Sequence, residues 1–199
     1  MDETTHPFSK KVLDRANTIE FNRIDLMAFS SDSELDKSEA EPTIINNYSL
    51  KTEYLNLIEV LPAKEAEIEK TTRILQDINQ KLKPANLQVG YRIRDEINFY
   101  MIYNKRHNLM DFNKALDYQI HQKILPRIQG SNQVLKEILL DLFEFTAGGQ
   151  FSVEQGQQSS DLKDHLINNY GDIKYYNSAK KVAEMIERYE QDGFTAFWL

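Results

Sequence analysis

Hydrophobic positions recur at helical spacing along most of the chain. From Pro62 to Lys83, the residues Ile68, Leu75 and Leu82 fall seven apart and Ile78 fills the same face. This predicts one amphipathic helix with Pro62 in its first turn, stopped by Pro84. After Gly90 a second helix carries Ile93, Ile97, Tyr100 and Met101 on one side and ends near His107–Asn108. Asp111 is placed to cap a third, in which Phe112, Leu116, Ile120 and Ile124 step by four until Pro126. A fourth follows Gly130, with Ser131 or Asn132 as its cap and Leu135, Ile138, Leu139 and Leu142 inward. The last spans Ser178 to Asp192, with Val182, Ile186 and Tyr189 on one face and Gly193 just past its end.

The first residues differ. Pro7 to Ala16 reads as a short helix, and Thr18–Ile19–Glu20–Phe21 as a strand extended by Ile24 and Leu26. A lone strand beside five helices has no visible partner, and an unpaired edge invites association. Two stretches carry no period. Segment 30–49 sets five acidic residues against Lys37 alone and reads as a solvated linker. Segment 147–160, rich in Gly, Gln and Ser around Phe151, reads as a flexible loop. The expected fold is mainly α: a helix–strand piece at 1–29, a linker at 30–49 and a helical unit at 50–199.

Composition narrows the chemistry. The 199 residues hold no cysteine, which excludes disulfides, thiolate zinc sites and a cysteine nucleophile. Hydrophobic residues make up 41 %, enough for a packed core. The opening MDETTHPF lacks the basic and apolar regions of a signal peptide, and no apolar run approaches the ~20 residues of a membrane helix. A cytoplasmic protein without a membrane partner is expected. The net charge of −7 argues against a chain-wide grip on nucleic acid. A nucleic-acid module would need Lys10, Lys11, Arg15 and Arg23 on one face with interleaved aromatics, and none interleave.

Several polar groups have ordinary structural readings. Arg15 can pair with Asp14 or Glu20, and Arg92 and Arg94 with Asp95 and Glu96. The cluster Asp2–Glu3–Thr4–Thr5–His6 reads as a capped turn before Pro7. Gln119, Gln122 and Lys123 read as buried polar groups tying helices together, with a phosphate contact by Lys123 as the lesser reading. His107, His121 and His165 lack metal-site spacing. The D-x-K pairs Asp161–Lys163 and Asp172–Lys174 lie beside or within loops and do not make a nuclease centre. Trp198 with Phe194 and Phe197 is expected to plug the core.

Four ordered blocks carry a family resemblance. MDETTHPFSKKVLDRANTIEF resembles the segment just after the first sensor of McrB-type AAA+ NTPases, the motor subunits of methyl-directed restriction systems. VGYRIRDEI resembles the start of the family's second-sensor lid helix, and DFNKALDYQIHQKILPRIQG its D-x-Q-I-x-Q-K-I-L-P-K/R-I-x-G block. YYNSAKKVAEMIERYEQDGFTAFWL resembles the family's C-terminal ending. The phosphate-binding G-x-x-x-x-G-K-[ST] loop is missing, since no Gly here is followed by Lys. The resemblance therefore implies the C-terminal part of such a protein: a remnant of the α/β nucleotide domain, whose orphan strand would pair within the missing portion, and then a helical lid. It implies GTP or ATP with magnesium as cofactor of the complete protein, and none for this chain alone. It assigns Arg15 as an arginine finger acting on a neighbouring subunit and Arg92 as the second sensor at a helix N-terminus, with Arg94 as its rival. Implied partners are a P-loop-bearing chain or neighbouring AAA+ subunits and a nuclease, with no direct sequence-specific DNA contact. A non-catalytic helical adaptor is the alternative.

Overall fold

The computed structural model describes residues 8–20, 57–149 and 158–198. It is mainly helical. Helix α1 is a single turn, Lys10–Leu13, shorter than the Pro7–Ala16 reading. Helix α2 spans Leu57–Leu82 and so begins upstream of Pro62, which lies inside it rather than at its start. Ile68, Leu75, Ile78 and Leu82 all turn inward, as their spacing requires. Pro84 sits in a 3-10 turn, Lys83–Ala85, and Asn86 in the left-handed region closes the helix. Asn79 then fixes the following loop, accepting the Val89 N–H at 2.8 Å and donating to the Val89 carbonyl at 3.0 Å.

Helix α3 (Tyr91–His107) starts after Gly90 and ends at Asn108, which takes a left-handed φ of 48°. Helix α4 (Phe112–Gln119) is capped by Asp111, whose side chain accepts the Lys114 N–H at 3.0 Å. The predicted four-step face continues, but the backbone does not stay α-helical. Ile120–Ile124 widens into a π-turn and Leu125–Arg127 tightens to 3-10. Pro126 accounts for the change: it has no N–H to offer the Gln122 carbonyl four residues back, so a regular ladder cannot pass through it. Helix α5 (Gln133–Ala147) is capped by Asn132 rather than Ser131. Helix α6 (Ser159–Asn168) begins inside the stretch read as flexible, with a capping box between Gln158 and Asp161. Helix α7 (Tyr176–Asp192) ends at Gly193, whose φ of 67° suits glycine.

Helices α2, α3, α5 and α7 enclose the core, with α6 packed on α7 and the 120–127 turns passing through the centre. Two short strands, β1 (Gln129–Gly130) and β2 (Thr195–Ala196), pair antiparallel and pin the chain end beside the 125–127 turn. That pairing buries Phe197 completely, leaves Trp198 half-buried against it at 5.2 Å, and leaves Phe194 exposed. The expected aromatic plug is thus mainly Phe197. Among the described residues no helix is long and apolar enough to cross a membrane.

Candidate functional site

The segment 8–20 lies across the bundle. Leu13 on α1 is buried, whereas Phe8, Val12 and Ile19 are exposed. Thr18 donates its N–H to the Gln122 carbonyl at 3.3 Å, the one that Pro126 cannot serve. No strand forms at 17–20, and Phe21, Ile24 and Leu26 lie outside the described residues. The segment is therefore not orphaned over its described length: it docks on a helix end instead of a sheet.

Its two carboxylates are taken by cations of the bundle. Asp14 forms an ion pair with Arg127, which is 8 % exposed. Glu20 accepts from Lys181 Nζ at 2.6 Å, and its other oxygen lies 3.7 Å from His121 Nε2. Both groups that could have held Arg15 are thus engaged elsewhere. Arg15 is exposed and makes no side-chain hydrogen bond or ion pair among the described residues.

The same allocation separates the two arginines at the start of α3, Arg92 and Arg94. Arg94 bonds Asp95 through Nε at 2.7 Å and Nη2 at 2.6 Å, and its guanidinium lies 4.8 Å from the Tyr91 ring centroid. Glu96 pairs instead with Lys123, a buried lysine of the π-turn. Arg92, in the first turn of α3, is exposed with neither carboxylate as partner. The N–H groups of that turn add positive potential beside it. Arg15 and Arg92 do not touch, but Arg127 links their segments. Its Nη1 meets Asp14, next to Arg15, while its Nη2 donates to the Gln88 carbonyl at 3.3 Å, just before Gly90. Burial without full pairing lowers the Arg127 pKa from its ordinary value.

Sequence reasoning missed Arg127, Lys181 and Asp117. The first two look like ordinary helix-surface cations until the fold is known. Asp117 on α4 receives the Asn177 and Ser178 N–H groups at 2.8 and 2.9 Å and so caps α7 from outside. Lys123 does tie helices together, through Glu96, and Gln119 is buried. Asp161 belongs to the α6 capping box and Lys163 pairs with Glu187 at 2.5 Å, so that D-x-K pair lies in the first turns of a helix, beside the Gly- and Gln-rich stretch. The Asp2–His6 cluster, Arg23 and the 30–49 linker lie outside the described residues. Among the described residues no group of three or more His, Asp or Glu is placed to hold a metal ion.

A cleft of about 520 Å³ opens between residues 18–20 and the bundle, with His121, Lys180, Lys181 and Glu184 on its walls. Burial, the largest influence, lowers the His121 pKa below its ordinary 6.5. Glu20, Asp117 and Glu184 oppose the shift and Lys181 adds to it. The unfolded chain therefore binds this proton more readily, so the contribution is complete above about pH 6.5 and is lost as pH falls. Melting measured between pH 7.5 and 5 should fall less steeply for His121→Gln than for the wild type. Equal slopes would show that His121 takes up its proton as readily in the folded chain as in the unfolded one.

A family model described as "Domain of unknown function (DUF8727)" matches residues 35–194, which include Arg92, Arg94, Arg127 and Lys181 but not Arg15. No curated protein matches the chain, and no solved structure does.

Proposed function

The chain belongs to the DUF8727 family, and we propose that it works as the C-terminal, arginine-presenting lid portion of a McrB-like AAA+ GTPase or ATPase that powers DNA restriction. The observation that carries this reading is the allocation of charge around Arg15. Asp14 and Glu20 neutralise buried cations of the bundle, and Arg15 stands exposed beside them. A solvent-facing guanidinium on a docked segment suits a charge that arrives from outside the chain, such as the γ-phosphoryl group at a neighbouring subunit. Arg92, with its own carboxylates engaged, suits the nucleotide of the same subunit. Arg94, held by Asp95, is the poorer second sensor.

The P-loop and the magnesium-binding acid come from another polypeptide segment, and the chain alone does not hydrolyse nucleotide. The site is cytoplasmic, and its partners are a P-loop-bearing chain and a nuclease. In the assembly, nucleotide and magnesium supply the reacting phosphoryl group. The residues of this chain bind and stabilise its charge.

Reconstitution tests the proposal. The isolated chain should show no micromolar magnesium-dependent binding of GTP or ATP by calorimetry. A chain carrying the G-x-x-x-x-G-K-[ST] loop, encoded immediately upstream, should turn over nucleotide only when this chain is added. Turnover indifferent to its addition would favour the helical adaptor.

A further inference from the structure

We infer that Arg127 and Lys181 are positioning residues that clasp the 14–20 segment to the bundle by charge and thereby fix where Arg15 stands; the part of this that concerns Arg15 rests on the reading above. Little else holds the segment. Of its large apolar side chains only Leu13 is buried, while Phe8, Val12 and Ile19 are 48, 48 and 64 % exposed. One backbone hydrogen bond, Thr18 to Gln122, joins its extended part to the π-turn. Upstream, Phe8 meets the Trp198 ring edge-on at 5.8 Å. Over residues 14–20 the side-chain anchors include the ion pairs of Asp14 with Arg127 and of Glu20 with Lys181 and His121.

The two cations are rooted on the bundle side and are nearly inaccessible, at 8 % and 4 % exposure. The Lys181 ammonium also lies 4.5 Å from the Phe197 ring centroid, while Glu20 is its ion partner. A buried cation that loses its carboxylate is left uncompensated, whereas an apolar replacement of the cation removes the need for compensation. The clasp is therefore asymmetric. Taking away a cation should release the segment and spare the bundle, while taking away a carboxylate should weaken both. The fork of Arg127 extends the effect, because the same guanidinium holds the Gln88 carbonyl before α3 and so ties the Arg15 segment to the turn that carries Arg92.

Hydrogen exchange on the full chain, wild type and Arg127→Met, Arg127→Lys and Lys181→Met, tests this directly. In both Met variants the amides of Arg15, Ala16 and Thr18 should exchange at least about tenfold faster, while amides of α5 and α7 keep their rates. Arg127→Lys keeps a charge for Asp14 and should recover much of the protection. Asp14→Asn and Glu20→Gln should accelerate exchange in the segment and lower the melting temperature as well. In the reconstituted assembly Arg127→Met should lower kcat with KM nearly unchanged, and the Lys variant should restore part of it. Unchanged exchange at Thr18 and Arg15 in both Met variants, or an equal rise throughout the bundle, would overturn the clasp. Local release with normal turnover would uphold the clasp and overturn the catalytic reading of Arg15 instead.

Discussion

Replacing Asp117 by Ala should destabilise the bundle by about 3–4 kcal/mol, among the largest losses available to a single side chain here. Helix α7 has no side-chain cap of its own, because Tyr175 precedes it. Its first N–H groups are satisfied from α4 instead. Asp117 accepts the N–H and side-chain amide of Asn177 at 2.8 and 2.9 Å, and the N–H and hydroxyl of Ser178 at 2.9 and 2.6 Å. The carboxylate is 3 % exposed, so water cannot easily replace it. Its charge also complements the positive end of α7. Ala would leave the buried Ser178 N–H without its acceptor, with the hydroxyl keeping only the residue-117 carbonyl at 3.1 Å, and α7 packs against α5 and α6. Asn keeps one acceptor but turns an NH₂ group toward donors, so about half the loss is expected. Urea unfolding should show a lower midpoint with an unchanged slope. A loss below about 1 kcal/mol would mean that α7 finds another cap.

The helical part of this architecture was legible because its signals are local. Gly90, Asp111, Asn132 and Gly193 each mark a helix boundary through their own backbone or side-chain chemistry. The buried faces of α3, α5 and α7 follow from spacing alone. Helix α6 escaped notice because a Gly- and Gln-rich stretch runs into it and only Leu162 and Leu166 mark its inner face, while Ile167 points outward. Residues 18–20 show a subtler outcome. Their alternation sets apolar Ile19 on the face opposite Thr18, yet it is Thr18 that is buried and Ile19 that is exposed, and the partner is a helix end rather than a strand. The signal for that partner was Pro126, which vacates a carbonyl at Gln122.

The candidate site was legible in its residue types and opaque in its pairings. Sequence neighbours offered Asp14 and Glu20 to Arg15, and Asp95 and Glu96 to the α3 arginines. The fold gives Asp14 to Arg127, Glu20 to Lys181 and Glu96 to Lys123, all distant in sequence. Only Arg94 keeps a neighbour, Asp95. Which cation stays exposed depends on which carboxylates the core claims first, because a buried cation gains more from an ion partner than a solvated one does.

Arg15→Ala should cut nucleotide turnover of the reconstituted assembly by about 10³-fold or more while leaving nucleotide binding nearly unchanged. A finger meets charge that develops on the γ-phosphoryl oxygens in the transition state, so its loss appears in kcat rather than in ground-state affinity. Nothing in the fold should compensate or suffer, since Arg15 is exposed and its neighbour Asp14 remains paired with Arg127. The melting temperature of the variant should therefore match the wild type, which separates this loss from those of Asp117→Ala and Asp14→Asn. Arg92→Ala should weaken binding and turnover together, because a second sensor touches the bound nucleotide before reaction as well as during it. Arg94→Ala should cost less, since Asp95 already holds that guanidinium. Mixed assemblies add direction to the test. A subunit lacking Arg15 should silence the site of its neighbour, and one lacking Arg92 should silence its own. If Arg15→Ala and Arg92→Ala both leave turnover unchanged, the two arginines serve only as solvated surface charge, and the helical adaptor becomes the better account of the chain.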